Sequence, residues 1–371
     1  MTPPGIDFER WVRPELRGLK PYASARAISG DRISTIKLNA NENPWPHDER
    51  QPLNRYPDPQ PSALVAALSE HWSVGPDNLL ITRGSDEGID LLMRLLVRPG
   101  VDRVMALPPC FGMYALYANI QGAELVEVAL TEGERGWAVD WPAVEQADAC
   151  RVYFLCSPNN PTGNTIDPVE VLAFAKKVES HGVVVVDEAY GEFSDQPSLA
   201  SMVNHQPNVV VLRTLSKGFG LAGARVGGVI AHPDLIAWLK RIIAPYPLPT
   251  PCVDAALAAL TPDALAQQAE QIKRIQTNKQ SLLNALDRLS FIVQCWPGQA
   301  NFVLIKVANA ASVMAHCWSS GIELRDQSHQ PKLDQCIRIT IGSESETDAL
   351  IGCLAAYNPP TTNTERPAHG V

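Results

Sequence analysis

One segment, Val183-Val184-Val185-Val186-Asp187-Glu188-Ala189-Tyr190, limits the fold more than any other. Four consecutive β-branched residues without polar alternation describe a strand covered on both faces, as buried parallel strands are. Residues 152–156 and 209–212 are two more short apolar runs of this type. Helical and strand-like stretches alternate around them. Helices are expected over 62–72 (with Ser62 as N-cap), 86–96, 111–119 and 169–180, with a further helical connection between the last two apolar runs. Strands are expected at 79–82, 101–107 and 124–129. Repeated βα units predict an open, mostly parallel sheet with helices on both faces, an α/β fold. Ligands of such sheets sit beyond the carboxyl ends of the strands, so the loops at Ser157, Asp187 and Thr214 share one rim.

The chain's 371 residues suggest two domains. Residues 1–35 read as an N-terminal arm packing with the small domain or a partner. A proline-rich stretch, 44–61, reads as an ordered loop or extended crossing segment within a large domain, 36–262. Residues 264–289 lack Gly and Pro and are long enough for a helix linking two domains. Strands at 291–295, 302–307 and 336–341, with a helix at 346–356, then form a smaller C-terminal α/β domain, 263–357. The polar, proline-bearing stretch 358–371 reads as a disordered tail.

Charge and cysteine content exclude several classes. With 31 Lys+Arg against 40 Asp+Glu the formal charge is -9, and no basic run suits a nucleic-acid or anionic membrane partner. No apolar stretch approaches the roughly 20 residues of a membrane span. The eight cysteines are scattered, without CxxC or short-range Cys/His pairs, which predicts no metal site and reduced thiols in a cytoplasmic protein. An acidic chain can nonetheless bind anions where a few arginines gather.

The candidate chemistry starts at Asp187. A carboxylate ending an apolar strand is costly unless something positive meets it, although an isolated one could be a helix cap. Lys217, 30 positions on and after the next apolar run, is a candidate nucleophilic amine, although alone it could be a solvated loop residue. Together they suit pyridoxal phosphate, which needs a lysine for its Schiff base and an acid facing its pyridine nitrogen. Asn160, in Ser157-Pro158-Asn159-Asn160-Pro161-Thr162-Gly163, and Tyr190 could both reach the ring hydroxyl. Residues 218–223 formally match GxGxxG. A dinucleotide site would need a helix and a later acid, yet 224–231 reads as a strand, so a nicotinamide cofactor is rejected.

The segment Thr214-Leu215-Ser216-Lys217-Gly218-Phe219-Gly220-Leu221-Ala222-Gly223-Ala224-Arg225 resembles the Schiff-base lysine segment of fold-type I pyridoxal phosphate-dependent aminotransferases. Further matches narrow the resemblance to the histidinol-phosphate aminotransferase family. These are Leu38-Asn39-Ala40-Asn41-Glu42-Asn43-Pro44, Asn54-Arg55-Tyr56-Pro57, Arg83-Gly84-Ser85-Asp86-Glu87-Gly88-Ile89, Ala244-Pro245-Tyr246-Pro247 and Gly321-Ile322-Glu323-Leu324-Arg325-Asp326. They run from Lys20-Pro21-Tyr22 to Arg338, nearly the whole chain.

The resemblance implies a homodimer that exchanges the amino group of L-histidinol phosphate with 2-oxoglutarate, giving imidazole acetol phosphate and L-glutamate in histidine biosynthesis. It implies that Lys217 binds the cofactor aldehyde and shuttles a proton, Asp187 pairs with the ring nitrogen, and Asn160 and Tyr190 bond the phenolic oxygen. Ser85, Asp86, Ser216 and Arg225 would hold the cofactor phosphate, joined by Tyr56 from the partner subunit. Tyr22, Arg325 and Arg338 would bind substrate. By pattern alone, Arg325 could equally pair with Asp326 and Arg338 could face solvent. The family often stacks a tyrosine on the pyridine ring; here that position is Phe111, which keeps the stacking and lacks the hydroxyl. An aromatic amino-acid aminotransferase and a threonine-phosphate decarboxylase share these cofactor residues and remain alternatives.

Overall fold

The computed structural model describes residues 7–20, 36–133 and 136–358. Its strands, in chain order, are β1 (Leu79–Thr82), β2 (Arg103–Ala106), β3 (Glu124–Glu127), β4 (Thr131–Gly133), β5 (Gly136–Ala138), β6 (Val152–Cys156), β7 (Val183–Asp187), β8 (Val209–Thr214) and β9 (Gly227–Ile230). They continue as β10 (Ile292–Trp296), β11 (Phe302–Val307), β12 (Arg325–Asp326) and β13 (Cys336–Thr340). Seven strands form the larger sheet, in the order β1-β9-β8-β7-β6-β2-β3. The run from β8 to β3 is parallel, whereas β9 is antiparallel to both β8 and β1.

The apolar runs fill the middle of this sheet because they carry hydrophobic groups on both faces. Val184, Val186, Val209 and Val211 join a cluster with Phe174 of the Pro168–Val178 helix. Val183, Val185, Val210 and Leu212 join another with Leu92 and Leu96 of the Gly84–Leu96 helix. Each buried valine contributes on the order of 1.5–3 kcal/mol relative to exposure. Because β6, β7 and β8 run side by side, their carboxyl ends carry Ser157, Asp187 and Thr214 to one edge.

Residues 188–208 contain 3₁₀ turns, Gly191–Phe193 and Leu199–Met202, in place of the expected helix. Here Glu188 accepts bonds from the Ser198 hydroxyl (2.5 Å), the Leu199 N–H (2.9 Å) and Arg213 (3.1 Å), which fixes the backbone by side-chain contacts instead of a helical ladder. Ser62 is the first residue of the Ser62–His71 helix, and Pro61 occupies the N-cap. The arm's described part does not lie on the small domain: Phe8, Trp11 and Val12 are buried with Leu91 and Leu95 against the large sheet, where a Trp and a Phe find enough apolar surface.

Thr261 caps the 25-residue Pro262–Leu286 helix, its side chain accepting from the Ala264 N–H. That helix leads to a four-stranded antiparallel sheet, β10-β11-β13-β12, whose apolar face packs Ile305 and Ile337 against Leu282 and Leu354. No helix among the described residues is long and apolar enough to cross a membrane.

Candidate active site

The strand ends open into a cleft of about 660 Å³, lined from the large sheet by Asp86, Phe111, Asn160, Asp187 and Lys217 and from the small sheet by Arg325 and Arg338. Asp187 closes β7 and is 2% exposed. Its Oδ2 accepts a bond from the Tyr114 hydroxyl at 2.8 Å, and its Oδ1 one from the Ala189 N–H at 3.1 Å. Burial pushes this carboxyl up to about 6, against the pull of those two donors. None of the described arginines or lysines forms a salt bridge with it. A buried carboxylate without a cation is an unbalanced charge, and a protonated ring nitrogen would balance it.

Lys217 follows β8 and reaches the cleft, with Nζ 5.6 Å from the Tyr190 ring centroid. The surrounding walls strip water from its ammonium and the Arg338 charge opposes it, so its pKa falls below the usual lysine range. Both effects favour the neutral amine, the nucleophilic form. Tyr190 is buried edge-on against Phe302 at 5.3 Å. Burial also raises its hydroxyl pKa, which keeps the group a donor.

Next to the lysine lies an anion cradle. The Gly84–Leu96 helix begins here, presenting first-turn N–H groups and the positive end of its dipole at Ser85 and Asp86. Gly84 has φ +75°, a backbone conformation that favours glycine, and a Cβ there would push on the Arg225 guanidinium 2.7 Å away. Arg225 adopts a left-handed φ of 54° and donates to Asp86 Oδ2 (3.2 Å) and Ser216 Oγ (3.3 Å). The Thr214 hydroxyl lies within hydrogen-bond distance of both Ser216 Oγ (2.9 Å) and the Val226 carbonyl (3.2 Å), tying Ser216 to the end of β8.

Across the cleft, β12 and β13 are antiparallel with Arg325 directly opposite Arg338. Like charges so placed repel, yet neither forms a salt bridge with a described residue. Arg338 donates to Asn160 Oδ1 at 2.5 Å and lies 5.4 Å from the Phe302 ring, and its buried Nε has no partner. Arg338 therefore does not face solvent, and Arg325 does not pair with Asp326. Two guanidinium groups in one cleft, neither with a carboxylate partner among the described residues, are suited to an anion.

Most of the residues singled out in the sequence therefore line this cleft. The exceptions are informative. Tyr56 is 49% exposed and stacks on Tyr246, with ring centroids 4.5 Å apart, and it does not line this chain's cleft. Tyr22 lies outside the described residues. Sequence reading missed Tyr114, although its position three residues after Phe111 in a helical stretch was a usable signal. Gln327, His329 and Gln330 also line the cleft and went unnoticed, because the turn after β12 carries no motif. An anion cradle, an unbalanced buried carboxylate, an amine of lowered pKa and an aromatic wall at Phe111 form a donor set that fits pyridoxal phosphate.

Residues 27–354 match the family model described as aminotransferase class I and II. The histidinol-phosphate aminotransferase of Xanthomonas campestris pv. campestris (strain 8004) is 45% identical over 350 residues, covering 92% of this chain and 96% of that protein. That of Cronobacter sakazakii is 39% identical over 365 residues, covering 97% and 100%. Among solved structures, histidinol-phosphate aminotransferase from Sinorhizobium meliloti in complex with pyridoxal-5'-phosphate superposes with a TM-score of 0.72. It is 27% identical, covering 81% of this chain and 82% of that one.

Proposed function

The chain belongs to the histidinol-phosphate aminotransferase family, within the class I and II aminotransferases, and from that premise we propose that it carries out the corresponding transamination. The donor is L-histidinol phosphate and the acceptor 2-oxoglutarate; the products are imidazole acetol phosphate and L-glutamate, in histidine biosynthesis. The observation that carries this reading is the cross-strand pair Arg325 and Arg338, two cations that form no salt bridge with a described residue and share a cleft with the Lys217 amine. Both substrates are anions, and the pair suits either a phosphate or a carboxylate.

Pyridoxal phosphate, when bound, supplies an aldehyde that takes up the amino group and a ring that withdraws electrons from the substrate Cα. Ser216, Arg225 and the N–H groups at Ser85 and Asp86 would hold its phosphate. Asp187 would accept from the ring N–H, Asn160 and Tyr190 would meet the phenolic oxygen, and Phe111 would cover one face. Lys217 would bind the aldehyde carbon between turnovers. Its neutral Nζ would act as the base that takes the proton from the substrate Cα, becoming the ammonium that gives the proton back as the amino transfer completes. Arg325, Arg338 and Tyr22 orient the substrate anion.

We assign Tyr56 to the partner's cradle in a homodimer; its exposed ring and exposed Leu38, Trp45 and Leu53 support an interface there. Eight unpaired cysteines are consistent with a cytoplasmic setting. A side-by-side assay with histidinol phosphate, phenylalanine and threonine phosphate tests the function. Fastest amino transfer from histidinol phosphate is expected; preferred turnover of phenylalanine, or carbon dioxide release from threonine phosphate, would overturn it.

A further inference from the structure

Tyr114 is fully buried behind the cleft wall, between Phe111 and Asp187, both of which line it. It lies on the Met113–Gln121 helix, three positions after Phe111. Its ring stacks on Phe154 of β6 (4.7 Å, 5° between planes) and receives Phe111 edge-on (5.7 Å, 86°). Its hydroxyl donates to Asp187 Oδ2 at 2.8 Å. One side chain thus touches both the wall of the ring site and the carboxyl that faces the ring nitrogen. We propose that Tyr114 is a positioning residue for the cofactor, holding Asp187 ionised and aimed through its hydroxyl and bracing Phe111 through its ring edge. The proposal rests on the pyridoxal phosphate reading above.

The chemistry is one-directional. Burial, and the neighbouring Asp187 charge, drive the Tyr114 hydroxyl pKa well above the usual tyrosine value, so this group donates and never competes as an anion. A donor to a carboxylate favours its charged form. The remaining titratable groups around Asp187 do not substitute for it. Burial raises the pKa values of the Cys156 thiol and the half-buried Cys110 thiol, with Cys110 pushed up to about 12. Asp86, Glu188 and Tyr190 either oppose the Asp187 charge or are opposed by it, and Lys217 forms no salt bridge with it. The Ala189 N–H is the one other donor among the described residues.

Removing the hydroxyl should therefore raise the Asp187 pKa further and weaken cofactor binding most where wild-type Asp187 is just ionised. The test uses Tyr114→Phe, which keeps the ring, and Phe154→Leu, which disturbs the packing alone. The dissociation constant of pyridoxal phosphate is measured by quenching of protein fluorescence from pH 5.5 to 8.5, with unfolding temperature as a check on folding. The expected result for Tyr114→Phe is about a fourfold weaker constant near pH 6.5, from the lower end of what a hydrogen bond to a charged group gives, narrowing by pH 8.5. Phe154→Leu should lower the unfolding temperature with no pH-dependent change in affinity. Affinity unchanged in Tyr114→Phe, or weakened equally at every pH, would overturn the proposal. A wild-type protein that fails to bind pyridoxal phosphate would instead overturn the functional reading beneath it. A variant-free measurement uses wild-type apoprotein with ¹³Cζ-labelled tyrosine. A buried-tyrosine resonance should move with the Asp187 titration, and flat resonances from all eight tyrosines would also overturn it.

Discussion

A carboxyl group sealed behind four valines keeps its charge only as far as donors and cations meet it. At Asp187 two donors meet it, and its value near 6 shows that burial still prevails. The consequence for stability follows from linkage. Between the ordinary aspartate value of 3.8 and about 6 the folded chain binds more protons than the unfolded one, so stability falls as pH rises through that window and stays lower above it. Cofactor-free Asp187→Asn should therefore unfold at a higher temperature than cofactor-free wild type at pH 8. The upper bound is about 3 kcal/mol, read by thermal melts, while its affinity for pyridoxal phosphate drops. Equal melts at pH 8 would mean that the buried charge is not costly. Arg338 poses the opposite case, a cation waiting for an anion. Arg338→Gln should raise the KM for both substrates by tenfold or more in steady-state kinetics; unchanged KM values would remove it from substrate binding.

At the scale of elements, strand ends and two glycines set the geometry. The loop after β6 that carries Asn160 ends at Gly163, which touches Gly298 of the small unit so closely that a Cβ on Gly298 would meet the Gly163 Cα at 2.5 Å. The Gln299 N–H donates to the Gly163 carbonyl at 2.6 Å, and the Gln299 side chain accepts from Ser194 and Asp195. Lys279 of the long helix ties the same turn by donating to the carbonyls of Gly298 and Ala300. Gly298→Ala should lower stability in urea by roughly 1–3 kcal/mol, since backbone must move. Gly352, on the Glu344–Ala355 helix with nothing within 4 Å, gives the contrast: Gly352→Ala should raise stability by roughly 0.5–1 kcal/mol. If both changes are neutral, crowding at the 163–298 contact is not real. Such contacts leave no trace in a sequence, because Gly163 and Gly298 are ordinary loop glycines until two distant loops meet. The same holds for residues 188–208, where Glu188 and Arg213 replace helical periodicity with side-chain anchors.

For the whole molecule, the formal charge of -9 and the cationic cleft are compatible because they belong to different surfaces. Tyr56 is exposed and does not line its own cleft, as a residue serving a partner's cleft would be. Light scattering should return about twice the 40.4 kDa chain mass, and a monomer that retains full turnover would remove Tyr56 from the site. The chain order alone determined the α/β alternation and the buried middle strands, because periodicity and β-branching are local properties; it pointed to Asp187 and Lys217 as candidates, and to Arg225 only through the resemblance of residues 214–225. Tertiary structure decided that neither Arg325 nor Arg338 forms a salt bridge with a described residue, which hydroxyl holds Asp187, and that Arg338 meets Asn160 instead of solvent. Those outcomes depend on burial and on distances between residues as far apart as 160 and 338, and both exist only after the two sheets are brought together.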